Sequence, residues 1–180
     1  NSTAFYLDFA RNIEKISYAS SFGRNNISEE ERVCIKKHLA RFSAISVREK
    51  SAGEIIEKIC GRKAPLVLDP VFLLDKAKWD ERCNENLKLP ARYIFVYSME
   101  VSNVLEKAVL KVYEKVPLPI IVVRGGGRRG RIFGVEDMEC GPAEFLRYVR
   151  DAEMVITNSF HGIAMSLIYK KKFLCIAHST

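Results

Sequence analysis

The sequence predicts an α/β protein built on parallel sheets. Short apolar, β-branched runs alternate with amphipathic stretches of helical length from Ile16 to Ile176, the pattern of successive βαβ units. Pro119–Val123 is almost wholly apolar, as a parallel strand buried on both faces requires. With 180 residues, 48% of them hydrophobic, the chain can bury a core sized for one large domain or two small ones.

In chain order, Ile16–Phe22 reads as the first strand and Gly23–Asn26 as its turn. Ser28 with Glu31 three residues on forms a capping box, and Val33, Ile35, Leu39 and Phe42 give the stripe of a helix over Glu29–Ala40. Ala44–Val47 is a short strand, and Ser51–Ile59 returns to helical spacing with Gly61 as its stop. Pro65–Leu68 is expected as a third strand, closed by the Asp69-Pro70 turn. The charged stretch that follows, with Trp79 as an anchoring aromatic, reads as a connection. Tyr93–Tyr97 restarts the alternation, Val101–Val116 is a helix, and Pro119–Val123 is the buried strand. A glycine- and arginine-rich loop, Arg124–Arg131, and a small segment at Ile132–Val135 come next. Pro142 opens a helix through Arg150; Met154–Thr157, Phe160–Tyr169 and Phe173–Ile176 are strand, helix and strand. The domains expected are 1–71, a connection over 72–92, and 93–180, with both ends read as cuts through a larger protein.

Composition narrows the function. No apolar run reaches eighteen residues and the N-terminus lacks the order of a signal peptide, so a soluble, cytoplasmic protein with at most peripheral membrane association is expected. Five scattered cysteines form no C-x-x-C pair and the three histidines are far apart, so neither a disulfide framework nor a metal site is expected. A net charge of +7 favours an acidic partner, which by charge alone could be a nucleic acid, an anionic surface or a phosphorylated small molecule. The Arg124–Arg131 loop has no interleaved aromatics on which bases would stack, so nucleic acid is set aside.

The sharpest local feature is Val155–Gly162, VITNSFHG, a strand that runs through polar residues into a helix. Ligands of open α/β sheets bind beyond the carboxyl ends of strands, and a helix N-terminus attracts anions. Asn158, Ser159 and His161 therefore stand where an anion would bind; the plainer alternative is a serine cap beside a half-buried histidine. Arg48, at the end of another strand, suits a carboxylate or phosphate by its fork of donors, or else is a surface residue paired with Glu49 or Glu54. Asp69 reads as a turn residue.

Taken in order, ISYASSFG at Ile16–Gly23, ISVREK at Ile45–Lys50, LDPVFLL at Leu68–Leu74, Trp79, YIFVYS at Tyr93–Ser98 and DAEMVITNSFHG at Asp151–Gly162 resemble the polysaccharide pyruvyl transferase family across almost the whole chain. The resemblance implies a fold like glycosyltransferase type B, with two Rossmann-like domains, both incomplete here. It implies an enzyme that moves a pyruvyl group from phosphoenolpyruvate to a sugar or lipid-linked saccharide, without a cofactor. The family's donor-binding arginine maps onto Arg48 and its histidine onto His161, the expected catalytic group; Asn158, Ser159, Phe160, Gly162 and Arg124 are the expected substrate contacts. Some relatives carry arginine-leucine where this chain has Ser159-Phe160, so a phosphate contact falls to Ser159, to backbone N–H groups or to the Arg124–Arg131 loop. Two other readings stand beside it: a nucleotide-sugar glycosyltransferase of the same fold, and a catalytically inert polyanion-binding module.

Overall fold

A computed structural model describes residues 3–24, 26–125, 131–132, 135–136 and 138–177. It divides into two compact units, Asn1–Leu73 and Leu74–Thr180. Each holds a parallel sheet, so the α/β class is as expected.

In the first unit a 3-10 turn, Thr3–Tyr6, precedes β1 (Ile16–Ser20), α1 (Glu29–Leu39), β2 (Ala44–Val47) and α2 (Lys50–Cys60). Strands β1 and β2 pair in parallel, with Ile16 opposite Ala44 and Ser17 opposite Ile45, but the next pair is Ser20 with Val47. Two residues of β1 thus face one of β2, a bulge, and Ala19 within it takes a φ of +52°. The Ser46 hydroxyl supports the bulge, accepting from the Ala19 amide at 3.0 Å and donating to the Ser17 carbonyl at 3.3 Å. The α1 capping box is present as the sequence predicts: the Ser28 hydroxyl accepts from the Glu31 amide and the Glu31 carboxylate from the Ser28 amide. Ile35, Leu39, Phe42, Ile45, Val47, Ala52 and Ile56 form the core between the two helices and the strands.

The expected third strand, Pro65–Leu68, is reduced to a bridge between Leu66 and Val47. Val47 donates to the Pro65 carbonyl and accepts from the Val67 amide, but Pro65 has no N–H to extend the ladder, and Asp69-Pro70 turns the chain into a 3-10 segment, Pro70–Leu73.

The second unit begins with a short helix, α3 (Lys76–Asp80), capped by Asp75, that the charged composition of this stretch concealed. Residues of the 74–92 stretch pack on this unit: the Asn84 side-chain amide donates to Glu144 at 2.7 Å, and Glu85 pairs with Arg147 and Arg150. Then follow β3 (Ile94–Ser98), α4 (Asn103–Lys115), β4 (Ile120–Arg124), the two-residue strands β5 (Arg131–Ile132) and β6 (Val135–Glu136), α5 (Pro142–Asp151), β7 (Met154–Thr157), α6 (Phe160–Ile168) and β8 (Lys172–Cys175). The sheet order is β4-β3-β7-β8, all parallel. Ile94, Phe95 and Val96 of β3 are fully buried, as a central strand covered on both faces must be. Ile94, Val96, Leu105, Val109, Val122, Ile156 and Ile176 close the core on one face. On β3, Phe95 stacks with Tyr148 and meets Phe145 at a tilt.

Candidate functional site

The sheet order of the second unit fixes where the candidate site falls. From β3 the chain moves outward to β4, crosses back to β7 on the other side of β3, and continues outward to β8. The direction of winding reverses between β3 and β7, which makes the crevice at their carboxyl ends the topological switch point. Ser98–Glu100 leaves β3 there and Asn158–His161 leaves β7.

Most of the residues expected from the sequence gather at this edge. Asn158 is 4% exposed, and its side chain bridges the two loops: its carbonyl accepts from the Met99 amide and its amide donates to the Glu100 carbonyl, each at 2.8 Å. Its evident work is to fix the crevice rather than to reach into it. Ser159 is the N-cap of α6, also 4% exposed, and its side chain makes no capping bond to the helix. Its amide donates to the Thr157 hydroxyl at 3.0 Å. Phe160 and His161 form the exposed first turn of α6, their rings edge to face at 5.4 Å. Gly162 is buried against Thr157; a Cβ there would lie 2.3 Å from the Thr157 hydroxyl, so only glycine lets α6 start this close to β7. Arg124 ends β4 opposite Ser98 and is half-buried. Gly125 follows it with Met99 where a Cβ would stand. The rest of the glycine- and arginine-rich loop, 126–130, lies outside the described residues.

Tyr97, which sequence reasoning did not single out, lies beneath this edge. Burial pushes its hydroxyl above the ordinary tyrosine value, against the opposing pull of a hydrogen bond with Ser159. Burial likewise pushes the nearby Cys140 thiol up to about 12, so it is un-ionised at neutral pH.

Arg48 belongs to the first unit, where it follows β2 at the carboxyl edge of that sheet. Its guanidinium lies between two carboxylates. Nη1 donates to Asp69 at 2.6 Å, and Nε lies 3.8 Å from Glu49. The Asp69 side chain is 4% exposed while that of Arg48 is 31% exposed, so the arginine reaches the surface from a buried acidic anchor. Asp69 keeps its expected turn role as well, accepting from the Val71 amide at 3.0 Å. Glu49 accepts from the Phe22 amide at 3.1 Å and so ties the loop after β1 to the residue beside Arg48. The pairing of Asp69 with Arg48 was missed because it needs the bridge between Leu66 and Val47, which brings the two chain segments alongside. Among the described residues no helix is long and apolar enough to cross a membrane.

A solved structure named as a UDP-N-acetylglucosamine 2-epimerase from Listeria monocytogenes is 13% identical, with a TM-score of 0.46; the match covers 83% of this chain and 46% of that chain. The chain therefore spans under half the length of that protein. No curated protein matches. The family model described as polysaccharide pyruvyl transferase matches residues 2–180, and the chain belongs to that family of transferases.

Proposed function

We propose that this chain carries the phosphoenolpyruvate-handling residues of a pyruvyl transferase that forms a ketal on a saccharide. In that reaction C3 of phosphoenolpyruvate gains a proton and becomes the methyl group. Two sugar hydroxyl oxygens bond to C2, the C2–O bond to phosphate breaks, and one hydroxyl proton replaces the proton delivered to C3 while the other leaves with phosphate. The donor brings a carboxylate and a phosphate, so it needs cationic and N–H-rich surfaces together with a group that moves a proton.

The observation that carries this reading is His161, exposed in the first turn of a helix that starts at the switch point of the sheet. The partial positive charge of the α6 N-terminus favours an anion there, and imidazole both donates to a phosphate oxygen and transfers a proton near neutral pH. Arg48, aimed from its carboxylate anchors, supplies a fork of donors suited to a carboxylate or phosphate. Asn158, Ser159 and Gly162 shape the crevice, Arg124 adds a cation at its rim, and Phe160 flanks the histidine.

The test is release of inorganic phosphate from phosphoenolpyruvate in the presence of saccharide acceptors. His161→Gln is expected to lower turnover by about 100- to 10,000-fold, the range for a proton-transfer group, with the thermal midpoint unchanged. A variant that turns over at the parental rate removes His161 from the chemistry.

A further inference from the structure

The string ISYASSFG, Ile16–Gly23, carries part of the resemblance stated above, yet the donor chemistry uses none of its side chains. The structure shows it built with unusual care. Ala19 is buried with a left-handed φ of +52°, a conformation that disfavours any side chain and persists only where its surroundings enforce it. Here the enforcement is the Ser46 hydroxyl. Bulges of this kind recur beside active sites, where they re-aim the residues that follow. The residues that follow are Ser20, Ser21 and Phe22, at the same carboxyl edge as Arg48 and joined to its neighbour Glu49 through the Phe22 amide.

Beyond the bulge the first unit has a pocket of about 510 Å3, whose lining includes Phe5, Tyr6, Ser21, Phe22, Arg24 and Glu31. That volume falls in the roughly 300–1,000 Å3 range of small-molecule sites. We infer that this pocket docks an uncharged saccharide, the acceptor side of the transfer, an assignment that rests on the pyruvyl-transfer reading.

Three features point to a polyol rather than an anion. Phe5 is 89% exposed although aromatic, and Tyr6 beside it is held flat by stacking on His38 at 5.0 Å. Flat apolar rings match the C–H faces of a pyranose. Arg24 and Glu31 are paired at 2.5 Å, so the pocket offers donors and acceptors for hydroxyls while its charges cancel. The Glu31 carboxylate also accepts from the Ser28 amide at 2.9 Å, so the pair is held in place at the pocket wall. Arg48, at the same sheet edge, is held instead by Asp69 and Glu49 and belongs to the donor reading above.

Ligand-observed NMR on the full chain tests this with the methyl glycosides of glucose, galactose, mannose and N-acetylglucosamine as probes, and with phosphoenolpyruvate titrated into the same samples. At least one glycoside is expected to bind, and to lose at least tenfold in affinity in Phe5→Ala and in Arg24→Met at parental thermal stability. Phosphoenolpyruvate binding is expected to be unchanged in both variants. Failure of every glycoside to bind, or parental affinity in both variants, overturns the assignment. Phosphoenolpyruvate binding without glycoside binding removes the saccharide pocket and leaves the donor reading. Glycoside binding that depends on Phe5 and Arg24, with no phosphoenolpyruvate binding, keeps the pocket and removes the donor reading.

Discussion

The Asp69 carboxylate governs what any experiment on Arg48 will report. Asp69 is buried and Arg48 is its charged partner, so truncating the arginine strands a carboxylate away from water as well as removing a possible ligand contact. Arg48→Ala is expected to lower stability by about 1–3 kcal/mol, discounted from the cost of a fully buried pair because the arginine side chain is partly exposed. Arg48→Ala combined with Asp69→Asn is expected to recover most of that loss. Denaturant unfolding of the two single variants and the double variant measures the coupling; additive losses would show that the pair is energetically idle. The sequence made Arg48 and His161 visible because each stands at a strand end beside residues of an ordered motif. It could not show that Asn158 turns its amide to Met99 and Glu100, or that Asp69 anchors Arg48, because both contacts cross between segments 21 or more residues apart. Local spacing carries no record of such contacts.

At the scale of elements, the most legible features were those that local chemistry decides. The α1 capping box joins Ser28 to Glu31 as spacing predicts, and the same carboxylate then reaches Arg24 at the pocket wall. Ser28→Ala is expected to cost about 1 kcal/mol through loss of the cap, seen as a lowered unfolding midpoint. An unchanged midpoint would mean that packing of Ile35 and Leu39 alone holds the helix start. Where elements depend on their neighbours, spacing misled. Pro65–Leu68 has strand composition, but a proline donor gap and a turn at Asp69-Pro70 leave a single bridge. The short α3 was hidden because its residues, Lys76–Asp80, are mostly polar and give no apolar stripe; Asp75, a capping residue three positions before Lys78, was the available signal. The bulge at Ala19 left no trace in composition, since alanine is not a residue that announces a left-handed φ.

Across the whole molecule, two parallel sheets each present polar and charged side chains at their carboxyl edges, where open α/β sheets bind ligands. The first sheet presents Arg48 on its acidic anchor and the aromatic pocket beyond the Ala19 bulge; the second presents the switch-point crevice with His161 at a helix start. We propose that phosphoenolpyruvate is the donor and that Arg48 and His161 are each needed to bind it. Calorimetric titration of phosphoenolpyruvate tests it most directly, using the full chain, His161→Gln, and a variant in which Arg48→Met is combined with Asp69→Asn so that no carboxylate is stranded. Saturable binding by the parent is expected, with at least a tenfold loss of affinity, about 1.4 kcal/mol, in each variant. Absence of binding by the parent, or parental affinity in both variants, would contradict it.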